Sequence, residues 1–241
     1  MNTRRSSPRV VPARTLPAGY AAAFAEIVAR IQAGLARTVK ASPRASAPPI
    51  AMYVAGGAAQ MFYTAARVSM DIDASFSRRI LLPEDLEVIY HDAAGAARTL
   101  YFDRQYNDSF ALLHEDVHDD SWPLPLPGID AKVIDVRLFA PVDLAVSKLA
   151  RYAEHDQADI AALARAGLIT SSAVRERAEH ALVGYVGDLR RVKTSIRLAC
   201  ELIDGEAGTA GRGGTPVKKA VVKKATASKA AGTGTGRKRA R

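Results

Sequence analysis

Two aspartates alternate across an isoleucine at Asp71-Ile72-Asp73, and thirteen residues upstream a glycine pair, Gly56-Gly57, ends the apolar run Ile50, Met52, Tyr53, Val54. In an extended strand, residues i and i+2 point to the same side, so Asp71 and Asp73 converge on one point while Ile72 faces the core. Bringing two carboxylates together is costly unless a cation neutralises them. Mg²⁺ suits such a site, because it takes one or two carboxylates and completes its shell with phosphate oxygens and water. Glycines let a backbone turn approach a phosphate closely, with main-chain amides free to donate. Taken singly, a glycine pair is an ordinary turn and an Asp-x-Asp an ordinary solvated strand edge. Their order along the chain points instead to metal-assisted chemistry on a nucleotide.

The surrounding elements must position those groups. Phe24, Ile27, Val28, Ile31, Leu35 and Val39 recur at helical spacing and predict an amphipathic helix from Ala18 to about Lys40. A proline-rich linker follows over Ser42–Pro49. Next come a strand to Val54, the glycine turn, a short helix over Ala58–Ala66 and a strand over Asp71–Phe76. Leu86–Tyr90 and Arg98–Phe102 predict two further strands, and Lys132–Leu138 alternates as another. Pro141 opens a helix in the favourable first-turn position, with Asp143 near its positive end. That helix is expected to continue through Leu144, Leu149 and Tyr152. Helical segments at about 157–166 and 172–203 complete an α+β fold, a small mixed sheet flanked by helices with a helical C-terminal part. The expected division is a disordered N-terminus (1–16), a catalytic-type domain (17–165), a helical segment (166–204) and a disordered basic tail (205–241).

The formal net charge of +9 sits in that tail, where residues 205–241 carry ten Lys/Arg against the single acid Glu206. The other 204 residues are balanced. A segment so poor in apolar side chains cannot offset its ordering entropy. Its Lys/Ala pattern is similar in composition to the tails of linker histones and bacterial histone-like proteins. Non-specific, salt-sensitive contact with nucleic acid through residues 212–241 is the expectation. One cysteine, Cys200, in an apolar helical stretch, excludes an intrachain disulfide framework and fits a buried structural thiol in a reducing compartment. No apolar run is long enough to span a membrane and no signal h-region follows the N-terminal arginines, so a cytoplasmic location is expected.

Gly-Gly, a short helix and then Arg67-Val68-Ser69-Met70-Asp71-Ile72-Asp73-Ala74-Ser75-Phe76 resembles the opening of nucleotidyltransferases of the DNA polymerase β superfamily. More narrowly, it resembles the bacterial nucleotidyltransferase-like proteins related to AbiEii abortive-infection toxins, which carry Arg-x-Ser/Thr-x-Asp-Ile-Asp after the glycine motif. Those proteins later carry a lysine on a helix and a pair of aspartates. Here Pro141–Arg151, with Lys148, fits the helix, and His155-Asp156-Gln157-Ala158-Asp159-Ile160 fits the closing motif. The resemblance covers roughly residues 50–165. It implies Mg²⁺-dependent transfer of a nucleoside monophosphate from an NTP to a hydroxyl of RNA, tRNA included, or of protein. It also implies a role as the toxin of a toxin–antitoxin or phage-defence system, with a small antitoxin as partner. Asp71 and Asp73 become metal ligands, Gly56, Gly57, Arg67 and Ser69 nucleotide-binding residues, and Lys148 a cation for the phosphates. Asp159 orients Lys148 or the acceptor.

Three departures stand out. Ala58 follows the glycines where many relatives have Ser or Thr, and His155 replaces the arginine before Asp156. The third metal carboxylate is not evident. Asp135, on an alternating strand and sharing a face with Arg137, is the first choice, ahead of Asp103 and Glu87. Lys148 and Asp159 lie eleven residues apart, three helical turns, and share a face if the helix is continuous. A polar helical stripe on its own is usually a solvated surface. His114 and His118, at i and i+4 among acidic residues, fit a surface loop better than a metal pair, and Trp122 fits a core anchor better than a base-stacking platform. The competing class is a catalytically weak protein of this fold that works as a nucleic-acid-associated binding module through its basic tail.

Overall fold

A computed structural model describes residues 16–40 and 48–210. Residues 1–15 of the expected N-terminus, most of the proline-rich linker and residues 211–241 of the basic tail lie outside the described residues, whereas residues 205–210, read as the start of that tail, continue the last helix. In chain order the elements are α1 (Ala18–Lys40), β1 (Ile50–Val54), α2 (Gly56–Thr64), β2 (Asp71–Ile72), β3 (Ala74–Phe76), β4 (Glu87–His91) and β5 (Ala97–Phe102). A short 3-10 turn at Asp108–Phe110 precedes β6 (Trp122–Pro123) and β7 (Ile134–Leu138). Four helices follow: α3 (Pro141–Ser147), α4 (Glu154–Arg165), α5 (Ser171–Ala181) and α6 (Leu189–Ala210). The fold is α+β.

The strands form two sheets rather than one. β1 lies between β3 (antiparallel) and β7 (parallel), with β6 on the far edge of β7. β5 lies between β2 (parallel) and β4 (antiparallel). The segment read as one strand, Asp71–Phe76, changes partners at Asp73: before it the chain pairs with β5, after it with β1. Asp73 is therefore where the two sheets meet.

Alternation builds the core. Ile50, Met52 and Val54 of β1 are buried, as are Ile134, Val136 and Leu138 of β7, so adjacent strands present one apolar face. Phe24, Ile27, Val28, Ile31 and Leu35 form the buried stripe of α1. Tyr20 of α1 meets Tyr90 of β4 edge-to-face at 6.0 Å, and Phe24 meets Phe62 of α2 at 4.9 Å. Thus α1 covers one face of the β2-β5-β4 sheet and also braces α2. α5 packs on α3, and α6 on α4 and α5. The buried Cys200 Sγ lies 3.5 Å from the Ser171 carbonyl, a packed thiol. Trp122 packs edge-to-face on Tyr63 at 5.6 Å, as a core anchor does.

The helical reading needs two corrections. The helix that starts at Pro141 stops at Ser147, and Tyr152 adopts a left-handed backbone (φ 49°) before α4 begins. The expected 172–203 helix is interrupted between Ala181 and Leu189, a stretch containing Gly184 and Gly187. The loop histidines also turn inward. The His118 ring lies 4.2 Å from that of Tyr53, and the buried His114 lies 5.8 Å from the ring of His180. Among the described residues no helix is long and apolar enough to cross a membrane.

Candidate active site

The glycine pair forms the first turn of α2 rather than a separate turn before it. Gly56 has φ +57°, a left-handed backbone that favours glycine, and a Cβ there would overlap the Asp73 carboxylate. A Cβ on Gly57 would likewise overlap the Ser69 hydroxyl. Ala55 N donates to the Asp73 carbonyl at 2.8 Å. The start of α2 and the carboxylate pair are thus in direct contact, with no side chain between them. Ala55 offers no capping side chain, so the first amides of α2 have no intrahelical partner and point out of its positive end.

Asp71 is held from the segment just before its strand, accepting from the buried Ser69 Oγ at 2.6 Å, while Ile72 between the aspartates is fully buried. Burial, then the negative charges of Asp71 and Asp103, push the Asp73 carboxyl up to about 6, against the opposing pull of Lys148 and Arg151. Asp103 is there because β2 and β5 run parallel. Asp71 is level with Tyr101 and Ile72 with Phe102, and Asp103 N donates to the Ile72 carbonyl at 3.1 Å, which carries the ladder one residue on. This wall of the site is negative and short of cations.

The facing wall comes from α3, α4 and the turn between them. Lys148 Nζ lies 2.9 Å from Asp159 Oδ2, with both side chains buried, and Arg67 reaches the same oxygen at 3.1 Å. Gln60 of α2 donates to the Asp159 carbonyl at 2.9 Å, which ties α4 to the glycine helix. Two cations on one carboxylate leave one positive charge in excess. Beside them Arg151 grips the fully buried Asp156 with two hydrogen bonds of 2.8 Å, and Ala153 N donates to the same carboxylate at 2.9 Å. Burial alone would raise the Asp156 carboxyl, but the Arg151 and Ala153 hydrogen bonds outweigh it and hold it below the usual carboxylate range.

The resulting site has a helix N-terminus and surplus cations on one side and a carboxylate pair on the other. The sequence model of the DUF6036 family, nucleotidyltransferases of unknown function, matches residues 38–197. The chain belongs to this family. No curated protein matches it, and no solved structure does.

In this family member, the site brings together Gly56, Gly57, Arg67, Ser69, Asp71, Asp73, Lys148 and Asp159. Asp135 lies elsewhere. It is level with Ala51, three residues before the end of β1, and pairs with Arg137 at 3.1 Å. A continuous helix would have put Lys148 and Asp159 about 16 Å apart at ~1.5 Å per residue, too far to touch. They meet because the chain breaks at 148–153 and folds α4 back. His155 Nε2 is 3.4 Å from Asp156 Oδ1, but the two-pronged grip on Asp156 comes from Arg151. Arg151 and Gln60 are the residues sequence reasoning did not place in the site, and Asp103, ranked there behind Asp135, is the carboxylate that the strand pairing brings beside Asp73. For Arg151 the signal was its position three residues after Lys148.

The donor set fits Mg²⁺. Asp71 and Asp73 are hard oxygen donors flanking buried Ile72, and Asp73 is partly buried without enough positive charge to settle it. Among the described residues no three His, Cys, Asp or Glu side chains form a metal cluster. The remaining ligands of an ion at this pair would therefore be phosphate oxygens and water, as Mg²⁺ prefers.

Proposed function

We propose that the protein transfers a nucleoside monophosphate from an NTP to a hydroxyl, with Mg²⁺ as cofactor. The observation that carries this reading is the direct contact of the α2 first turn with the Asp71–Asp73 pair, made possible by two missing Cβ atoms. A phosphate chain lying across that contact meets main-chain amides and carboxylate-held metal at once. Asp71 and Asp73 would hold the ion, which neutralises phosphate charge as pyrophosphate leaves. The amides of Gly56 and Gly57 bind the chain, and the excess charge of the Arg67–Lys148–Asp159 cluster stabilises the departing oxygens. Asp159 and Gln60 fix the geometry of that cluster. The acceptor oxygen bonds to the α-phosphorus as the bond to pyrophosphate breaks, and Asp103, on the neighbouring strand, takes the hydroxyl proton.

The AbiEii resemblance extends the proposal to an RNA or protein acceptor and to a toxin restrained by an antitoxin. The ten cations beyond residue 210 support delivery to nucleic acid, since they would neutralise phosphates regardless of sequence. Incubation with each α-labelled NTP, Mg²⁺ and total RNA or protein tests the activity. Label should be incorporated by the wild type and not by the Asp71→Ala/Asp73→Ala variant. Incorporation by both, or by neither with any acceptor class, overturns the assignment.

A further inference from the structure

Tyr101 lies in register with Asp71 on the parallel β2–β5 pair, and its amide donates to the Met70 carbonyl at 2.9 Å. Residues level with each other on paired strands point to the same side, about 4.8 Å apart. Leu100 and Phe102 on either side of Tyr101 are buried against the face that α1 covers, so the tyrosine ring stands on the opposite face and is 42% exposed. That ring therefore stands beside Asp71, on the face of the sheet away from α1.

Its neighbours define what can rest there. Asp71 is level with it on one strand and Glu87 on the other, and Asp103 is two residues along its own. Three carboxylates around one ring repel a phosphate, so the backbone of a nucleic acid does not lie on it. The ring suits an uncharged flat group attached to something that the aspartate pair already holds. Exposed Ile89, two residues along β4 from Glu87 and so on the same face, widens the apolar platform.

We propose that Tyr101 is a base-stacking residue, on which the nucleobase of a ligand anchored at Asp71 and Asp73 rests. The inference deepens the nucleotidyltransferase reading and depends on it. The base could come from the NTP or from the terminal nucleotide of an acceptor strand, and the two sources separate experimentally. Calorimetric titrations in Mg²⁺ would compare inorganic tripolyphosphate, the four NTPs and a short single-stranded oligonucleotide against wild type, Tyr101→Ala, Tyr101→Leu and Tyr101→Phe. Base–aromatic stacking predicts that Tyr101→Ala and Tyr101→Leu weaken a base-bearing ligand by about five-fold or more, while Tyr101→Phe does not. Tripolyphosphate binding stays unchanged in all three. A loss confined to NTPs assigns the platform to the donor base, and a loss confined to the oligonucleotide assigns it to the acceptor. Wild-type affinity for every ligand in Tyr101→Leu overturns the stacking role and leaves the phosphate site standing. A wild type that binds neither tripolyphosphate nor any NTP overturns both.

Discussion

The two walls of the site solve the same problem in opposite ways. On the helix wall, Asp156 is fully buried yet held below the usual carboxylate range, because Arg151 and a main-chain amide satisfy it. On the strand wall, Asp73 is pushed up to about 6, because burial and then the charges of Asp71 and Asp103 outweigh the opposing pull of Lys148 and Arg151. A carboxylate satisfied by its own protein is a building element, whereas one left short of positive charge is prepared for a partner from outside. The same contrast separates Asp159, shared by two cations, from Asp143, a buried carboxylate gripped by Arg177, which also binds Asp120. One cluster keeps a positive charge to spare, while the other has none.

The sharpest way to test this contrast is Asp73→Asn. Transfer should fall roughly 10³-fold, the equivalent of several kcal/mol of lost metal-assisted stabilisation. Stability of the metal-free protein should nevertheless rise. The Asp73 carboxyl sits near 6 in the fold against 3.8 when free, so the folded state binds more protons between those values. Stability therefore declines as pH climbs from about 4 through 6, and at pH 7 the asparagine variant should recover about 1–3 kcal/mol. Urea denaturation in EDTA at pH 5 and pH 7 measures this; a variant less stable than wild type at pH 7 breaks the contrast.

Arg151→Ala should act in the opposite sense. It removes both side-chain hydrogen bonds from buried Asp156 and should cost about 1.5–3 kcal/mol. The depressed Asp156 carboxyl contributes stability above the ordinary carboxylate range and loses it as pH falls through its lowered value. Without Arg151, acid unfolding should therefore begin at a higher pH, visible in a circular-dichroism titration. The smallest effect belongs to Ser69→Ala, which deletes one hydrogen bond to Asp71. A stability change of about 1 kcal/mol is expected, with a rise in the Mg²⁺ concentration needed for half-maximal transfer. An unchanged Mg²⁺ requirement would mean that Asp71 needs no help from Ser69.

Local features were readable from the chain. The i, i+2 aspartates and the glycines before a short helix depend on backbone period and on a missing Cβ, which a few residues determine. The Lys148–Asp159 association was also visible, but through a continuous helix that the molecule does not have; the left-handed Tyr152 carries no composition signal. Asp135 was misplaced because alternation shows which face a residue takes and not its level along the sheet. Tyr101 was out of reach for the same reason, and so was the preference for Asp103 over Asp135. The position of Tyr101 and Asp103 depends on a parallel pairing between segments about thirty residues apart, β2 and β5, and on the switch of sheets at Asp73.

That switch has a mechanical consequence. Asp71 belongs to one sheet, the residues after Asp73 to the other, and hydrogen bonds from Ala55 and Asp103 fasten the chain on both sides of the junction. An ion clasped by both aspartates, as proposed, would rivet the two sheets together across their seam. Sliding of one sheet against the other would spread such a clasp, so occupancy of the site would stiffen the junction at Asp73.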